Sequence, residues 1–236
     1  MRHGQAGTRD AYDSLSDLGK RQARLLGEHF VSQGIHFSAA YSGELLRQRQ
    51  TAEQIGNAHS DAGAAFPSIE TDRGWNEFNL EQVSCELAPH LCAQDADFRR
   101  EYEEMLEQVR VSSGAHTASV HRKWLPCDTK IVEAWICGHL PYSGETWTQF
   151  CERVLSCRSR INHTQARENI LVVTSATPIA IWTGLSLEIS DARVMRLAGA
   201  LYNASYTILR LRRDELRLFT FNAGPHLAGA GVRTHR

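Results

Sequence analysis

The chain has 236 residues, 42% hydrophobic and 22% charged, with a net charge of −1, the proportions of an ordinary soluble globular protein of one large domain or two small ones. That balance leaves no nucleic-acid footprint: the short cluster Arg210-Leu211-Arg212-Arg213 runs straight into Asp214 and Glu215 and reads as a solvated strand edge. No apolar run approaches the roughly 20 residues of a membrane span, and no signal-like segment leads the chain, so a cytoplasmic protein without a membrane partner is expected.

The first five residues, Met1-Arg2-His3-Gly4-Gln5, combine three chemistries. An imidazole can attack phosphorus, a guanidinium can hold its oxygens, and a glycine lets backbone approach a ligand closely. A polar loop follows from Ala6 to Leu15. Ser16 then reads as the N-cap of a helix to about Gln33, with Leu18, Leu25, Leu26, His29 and Phe30 on one face. Ile35 to Tyr41 predicts a short strand, Ser42-Gly43 a turn, and Glu44 to Gly56 a second helix. Ser68 to Thr71 reads as a strand, and Trp75 to Asn79 as a loop with aromatic anchors around Glu77.

From Cys85 to about Val111 the pattern is helical, with Phe98, Tyr102, Met105 and Val109 spaced by three and four, and Ser112 to Leu140 reads as irregular. The stretch from about 85 to 140, with Trp124 and Trp135, is expected to be an insert over the sheet face that covers the pocket. Ser143 to Ile161 returns to a helix. Asn169 to Thr174 is an apolar run of the buried parallel type, followed by Ser175-Ala176-Thr177-Pro178 and a helix from Ile179 to Leu187. Two strands, Ser205 to Arg212 and Glu215 to Phe221, joined by Arg213-Asp214, end the pattern. Helices alternating with strands argue an α/β layered fold.

The six cysteines (Cys85, Cys92, Cys127, Cys137, Cys151, Cys157) form no CxxC pair and read as free thiols. His116 and His121, the closest histidine pair, lie in a polar stretch without carboxylates and read as a solvated loop, so no metal is expected.

Five segments in order then carry a resemblance: Arg2-His3-Gly4-Gln5; Ser16 to Ala23; Tyr41 to Ala52, which holds Arg47; Trp75-Asn76-Glu77-Phe78; and Phe221 to Leu227. Together they resemble the histidine phosphatase superfamily, which includes the phosphoglycerate mutases, over nearly the whole chain. The resemblance implies a single domain, 1–236, with a mostly parallel sheet, helices on both faces and a phosphate pocket at the strand C-termini. It makes His3 the nucleophile, Arg2 and Arg47 the arginines that grip phosphate with Gln5 beside them, and Glu77 the acid for the leaving group. Fixed guanidinium forks suit a transition state that spreads charge over three oxygens, with no metal or other cofactor required. Taken alone, Arg47 also fits an exposed helix arginine, and Glu77 a loop carboxylate near Arg73.

One departure stands out. The family's second catalytic histidine follows the late buried strand, where this chain has Ser175. Losing that imidazole could cost on the order of 10²–10³ in rate. Ser175, Ala176 and Thr177 would still present amides and hydroxyls at a helix N-terminus, a favourable anion site. His226 is a possible stand-in, against the simpler reading of a histidine that caps the last strand and bonds a loop; His139 is similar.

Three functions follow. The first is a metal-independent phosphatase that hydrolyses a phosphorylated small molecule through phospho-His3, slowed or specialised by Ser175. The others are a non-catalytic phosphate-binding relative and a phosphoglycerate mutase-type phosphotransferase. The family's Arg-His-Gly ends a central buried strand, so that strand is expected to lie before Met1, in a longer natural chain or behind a misplaced start.

Overall fold

The computed structural model describes residues 1–7, 13–114, 126–161, 168–212, 215–229 and 231–235. In chain order the elements are α1 (Asp17–Ser32), β1 (Ala39–Ser42), α2 (Leu46–Asp61), β2 (Ile69–Thr71), a 3-10 turn (Arg73–Trp75), α3 (Leu80–Gln94), α4 (Ala96–Gly114), α5 (Pro126–Cys137), α6 (Trp147–Ser156), α7 (Arg158–Ile161), β3 (Ile170–Val173), α8 (Ala176–Leu187), α9 (Asp191–Ala200), β4 (Tyr206–Arg212) and β5 (Glu215–Ala223). They fall into two compact units, one of Met1–Glu77 with Arg153–Arg236, the other Phe78–Glu152.

The first unit is built on a parallel sheet in the order β2-β1-β3, flanked by helices, which is the expected α/β architecture. Tyr41 sits opposite Glu70 on one side and Val172 on the other. Its core joins Leu26 and Phe30 of α1, Ala40 of β1, Ala52 and Ile55 of α2, and Leu171 and Val173 of β3. Each large apolar side chain buried there contributes about 1.5–3 kcal/mol relative to exposure. Met1 to His3 run alongside the end of β3: Thr174 N donates to Met1 O at 3.0 Å and His3 N to Thr174 O at 2.9 Å. Arg2 N reaches Ser205 O on the other side, at 3.0 Å. β4 and β5 form a separate antiparallel pair.

Ser16 caps α1 as expected, its Oγ accepting from Gly19 N at 3.0 Å. The helix stops at Gln33, and Gly34 takes the left-handed φ of 63° that suits a residue without Cβ. β1 begins four residues later than expected, because Ile35 and Phe37 pack on the core from the connecting loop. α2 also starts later, at Leu46: Glu44 is held outside it by a bond from its N–H to Asn76 Oδ1 at 2.7 Å. α8 is buried from Thr177 to Gly184, which explains an apolar sequence with no polar face.

The second unit packs α3, α4 and α5 with the first residues of α6. Phe78, Trp135, Trp147 and Phe150 form an aromatic nest, with Phe78 stacked on Trp135 at 4.7 Å between centroids. The helix expected over Cys85 to Val111 is two helices. Asp95 breaks it, since its Oδ1 accepts from Asp97 N and Phe98 N at 2.9 and 3.0 Å and restarts the chain as α4. The stretch expected to be irregular up to Leu140 contains α5. Pro126 suits its first turn, Ile131, Val132 and Trp135 make its buried face, and Gly138, at φ 66°, ends it. The helix expected over Ser143 to Ile161 starts later and breaks at Cys157 into α6 and α7, with Thr146 and Gln149 bonding reciprocally ahead of α6. α9 had no counterpart among the expected elements. His116, His121, Trp124 and the Arg213-Asp214 turn lie outside the described residues.

Candidate active site

Two corners of the parallel sheet, where β1 runs to α2 and β3 runs to α8, meet the N-terminal residues. The backbone at Gly4 passes against the start of α1 so closely that a Cβ on Gly4 would lie 2.3 Å from Gly19 O, and one on Gly19 would lie 2.1 Å from Gln5 O. Neither position has room for a side chain. Gly4 N donates to Thr51 Oγ1 at 3.1 Å, and that hydroxyl donates to Arg47 O at 2.7 Å. This relay fixes the segment after His3 to the first turn of α2.

His3 is 5% exposed. Its Nδ1 lies 2.7 Å from Gly4 O, so Nδ1 carries the proton. Arg47 Nε points to the other ring nitrogen, His3 Nε2, at 3.3 Å. Arginine can only donate, so both bonds specify the same tautomer, with the Nε2 lone pair turned toward the guanidinium. Arg47, also buried, extends Nη1 to Asp13 Oδ1 at 2.9 Å, and Asp13 Oδ2 accepts from Leu46 N at 3.1 Å.

The second corner is polar without charge at its centre. Ser175 is the N-cap residue of α8, 1% exposed, and its side chain makes no capping bond to the helix. Its Oγ accepts instead from Gln48 Nε2 at 2.9 Å, and Gln48 Nε2 also reaches Trp75 O at 3.2 Å. Glu77 comes in from the loop after the 3-10 turn, its Oε2 accepting from Thr177 N in the first turn of α8 at 3.1 Å. That amide, expected from sequence to face a ligand, is held by a carboxylate.

The bonds join His3 and Arg47 in one network and Ser175 to Gln48, the neighbour of Arg47 in α2, while Glu77 bonds Thr177, two residues beyond Ser175. Arg2 is buried beside His3, and its Nη1 donates to Leu201 O. Gln5 is turned to α1: its N–H donates to Gln22 Oε1 at 2.8 Å and its Oε1 accepts from Ser16 Oγ at 2.9 Å. His226 bonds Ala204 O through Nε2 at 3.0 Å and stacks with His29 and Tyr206. Burial pushes its imidazole down to about 4. His139 is exposed in the second unit.

Asp13, Gln48 and Thr51 belong to the network and were absent from the sequence-based set. Asp13 lies in a polar loop without periodicity, and its partner is 34 residues away. Gln48 and Thr51 are one residue and one helical turn beyond Arg47, a spacing that could have drawn them in. Among the described residues no three His, Cys, Asp or Glu side chains converge as a metal donor set. No described helix is long and apolar enough to cross a membrane. An imidazole whose Nδ1 is committed as a donor and whose Nε2 faces a buried guanidinium is equipped to accept an electrophile with anionic oxygens, and a carboxyl group such as that of Glu77 can exchange a proton with a leaving group.

Comparison with known proteins gives a consistent picture. The model of the histidine phosphatase superfamily (branch 1) matches residues 1–136 and 113–224. Among solved structures, Bacillus stearothermophilus YhfR aligns with a TM-score of 0.61 at 16% identity, over 95% of this chain and 96% of that one. A mycobacterial glucosyl-3-phosphoglycerate phosphatase in complex with inorganic phosphate aligns with a TM-score of 0.59 at 18% identity, over 96% and 97%. A phosphoserine phosphatase mutant from Entamoeba histolytica, in complex with phosphoserine, aligns with a TM-score of 0.53 at 18% identity, over 96% of each chain. At such identities the likeness is one of fold. No curated protein sequence matches the chain.

Proposed function

The chain belongs to the histidine phosphatase superfamily, and from that premise we propose that it is a metal-independent phosphatase that hydrolyses a phosphorylated small molecule through a phosphohistidine at His3. The observation that carries this reading is the orientation of His3. Its Nδ1 is committed to Gly4 O, and its Nε2 faces the Arg47 guanidinium.

In the proposed reaction Arg47 Nε turns from His3 Nε2 to a phosphate oxygen, the freed Nε2 lone pair attacks phosphorus, the bond from phosphorus to the leaving oxygen breaks, and Glu77 in its protonated form gives its proton to that oxygen. Water then attacks the phosphohistidine, the P–N bond breaks with its electrons returning to Nε2, Glu77 takes up the proton and phosphate departs. Arg47 holds two equatorial oxygens throughout, with Arg2 behind His3 adding positive potential. Gln5 acts here as a brace between α1 and the His3 segment, so its contribution to phosphate binding is indirect.

Ser175 is the position where a second catalytic imidazole is replaced. Its hydroxyl is engaged by Gln48, which supports a corner rebuilt as a neutral pair. The lost electrostatic stabilisation lowers the rate by about 10²–10³ while leaving the nucleophile intact. His226 is no substitute in this reading, being committed to Ala204 O and stacked on Tyr206. Hydrolysis of an aryl phosphate in the presence of EDTA tests the proposal: turnover that disappears in His3→Ala is expected. Absence of turnover from acid to neutral pH, or activity unchanged in His3→Ala, would overturn it.

A further inference from the structure

Resting on the phosphate-site reading above, we propose that Asp13 is a built-in counter-anion of that site: its carboxylate occupies donors of Arg47 and Leu46 that a phosphate group would take, so an incoming phosphate must displace it. Both oxygens of this one carboxylate are used. Oδ1 lies 2.9 Å from Arg47 Nη1, and Oδ2 accepts from Leu46 N at 3.1 Å. A guanidinium N–H paired with an amide at a helix start also fits two oxygens of a phosphate. The carboxylate thus has the chemistry of the ligand it displaces.

The two partners differ in freedom. The Arg47 side chain is 8% exposed and that of Asp13 is 55% exposed. Arg47 is also bonded to His3 and its carbonyl is fixed by Thr51, so the cation is the anchored partner and the acid the one able to swing out. α2 gains something from the contact as well, since its own N-cap, Leu45, has no side-chain oxygen to offer. Two roles are therefore distinguishable by sign. A strut that merely holds Arg47 would strengthen phosphate binding, and its loss would weaken it. A counter-anion competes with phosphate and repels it, so removing its charge tightens binding.

Asp13→Asn keeps an oxygen for Leu46 N and removes the charge, which isolates the second effect. Calorimetric titration with inorganic phosphate is expected to give a Kd about tenfold lower in Asp13→Asn than in the wild-type protein, equivalent to ~1.4 kcal/mol. Asp13→Ala, which also loses the cap, should shift in the same direction by less. Combining Asp13→Asn with Arg47→Ala should erase the gain, because it acts through that guanidinium. Unchanged or weaker phosphate binding in Asp13→Asn, with clear binding by the wild-type protein, overturns the counter-anion role and leaves the phosphatase reading standing. No phosphate binding by wild type or variant overturns both.

Discussion

The two strand-to-helix corners of the sheet are built alike and equipped differently. Where β1 meets α2, a buried arginine faces the His3 imidazole and an exposed carboxylate. Where β3 meets α8, a buried serine is answered by a buried carboxamide, and a charged group, Glu77, bonds the first turn of the helix. On the proposed reaction the contrast separates two tasks of phosphoryl transfer. Holding the anion and attacking it need charge and a nucleophile, the parts proposed for Arg47 and His3 at the first corner. Stabilising the charge that develops in the transition state needs further preorganised donors, and there the second corner offers neutral groups.

The largest expected effect breaks the comparison outright. His3→Ala should cost at least ~10³ in kcat with an aryl phosphate, whereas Ser175→Ala should cost less than about tenfold, because only a neutral hydroxyl is lost. Comparable losses at the two positions would mean that the corners contribute equally. Next comes Arg47→Lys, expected to lower kcat/KM by about 10²-fold, since an ammonium cannot present a planar fork to two oxygens. A loss below threefold would reduce Arg47 to a generic positive charge.

The second corner can be probed by rebuilding it. Ser175 and Gln48 are both buried, so an imidazole at position 175 collides with the carboxamide. Ser175→His alone should therefore destabilise the protein and raise the rate by less than about tenfold, whereas Ser175→His with Gln48→Ala should raise it further. A large gain from the single variant would show that the corner was never reorganised around Gln48.

The smallest effect concerns His226. Burial lowers its value in the folded protein to about 4, below the 6.5 of an unperturbed histidine. The unfolded chain then binds the extra proton first on acidification. The contribution of this residue is complete above pH 6.5 and is lost as the pH falls from there through about 4. His226→Gln should flatten the melting temperature across that window and leave kcat unchanged. A fall in kcat of tenfold or more would make His226 the missing imidazole after all.

Most of the scaffold was legible because local signals and tertiary demands agreed. Ser16 and Gly19 mark the start of α1, and the run Ile-Leu-Val-Val announces a strand of the parallel sheet, buried on one face and half-buried on the other. Misreadings arose where short polar residues act through specific bonds. Asp95 splits a helix that apolar spacing would continue, and Thr146 caps α6 ahead of its apolar face. α5 was hidden by its place after a polar stretch, although Pro126 and Gly138 bracket it. His3, Arg47, Glu77 and Ser175, the residues of the proposed site, were nominated by their order along the chain and the resemblance that this order carries. Asp13 and Gln48 could not, because what matters in each is a partner distant in sequence, and no periodicity encodes a contact across 34 or 127 residues.

Covalent phosphorylation of His3 Nε2 is the step on which the proposed reaction turns. Rapid quenching of the wild-type protein during turnover of an aryl phosphate, followed by peptide mass spectrometry under alkaline conditions that preserve phosphohistidine, reads this directly. One phosphoryl group is expected on the N-terminal peptide, assigned to His3 and absent in His3→Ala. Steady release of the aryl alcohol with no phosphoryl group on His3 at any quench time would contradict it.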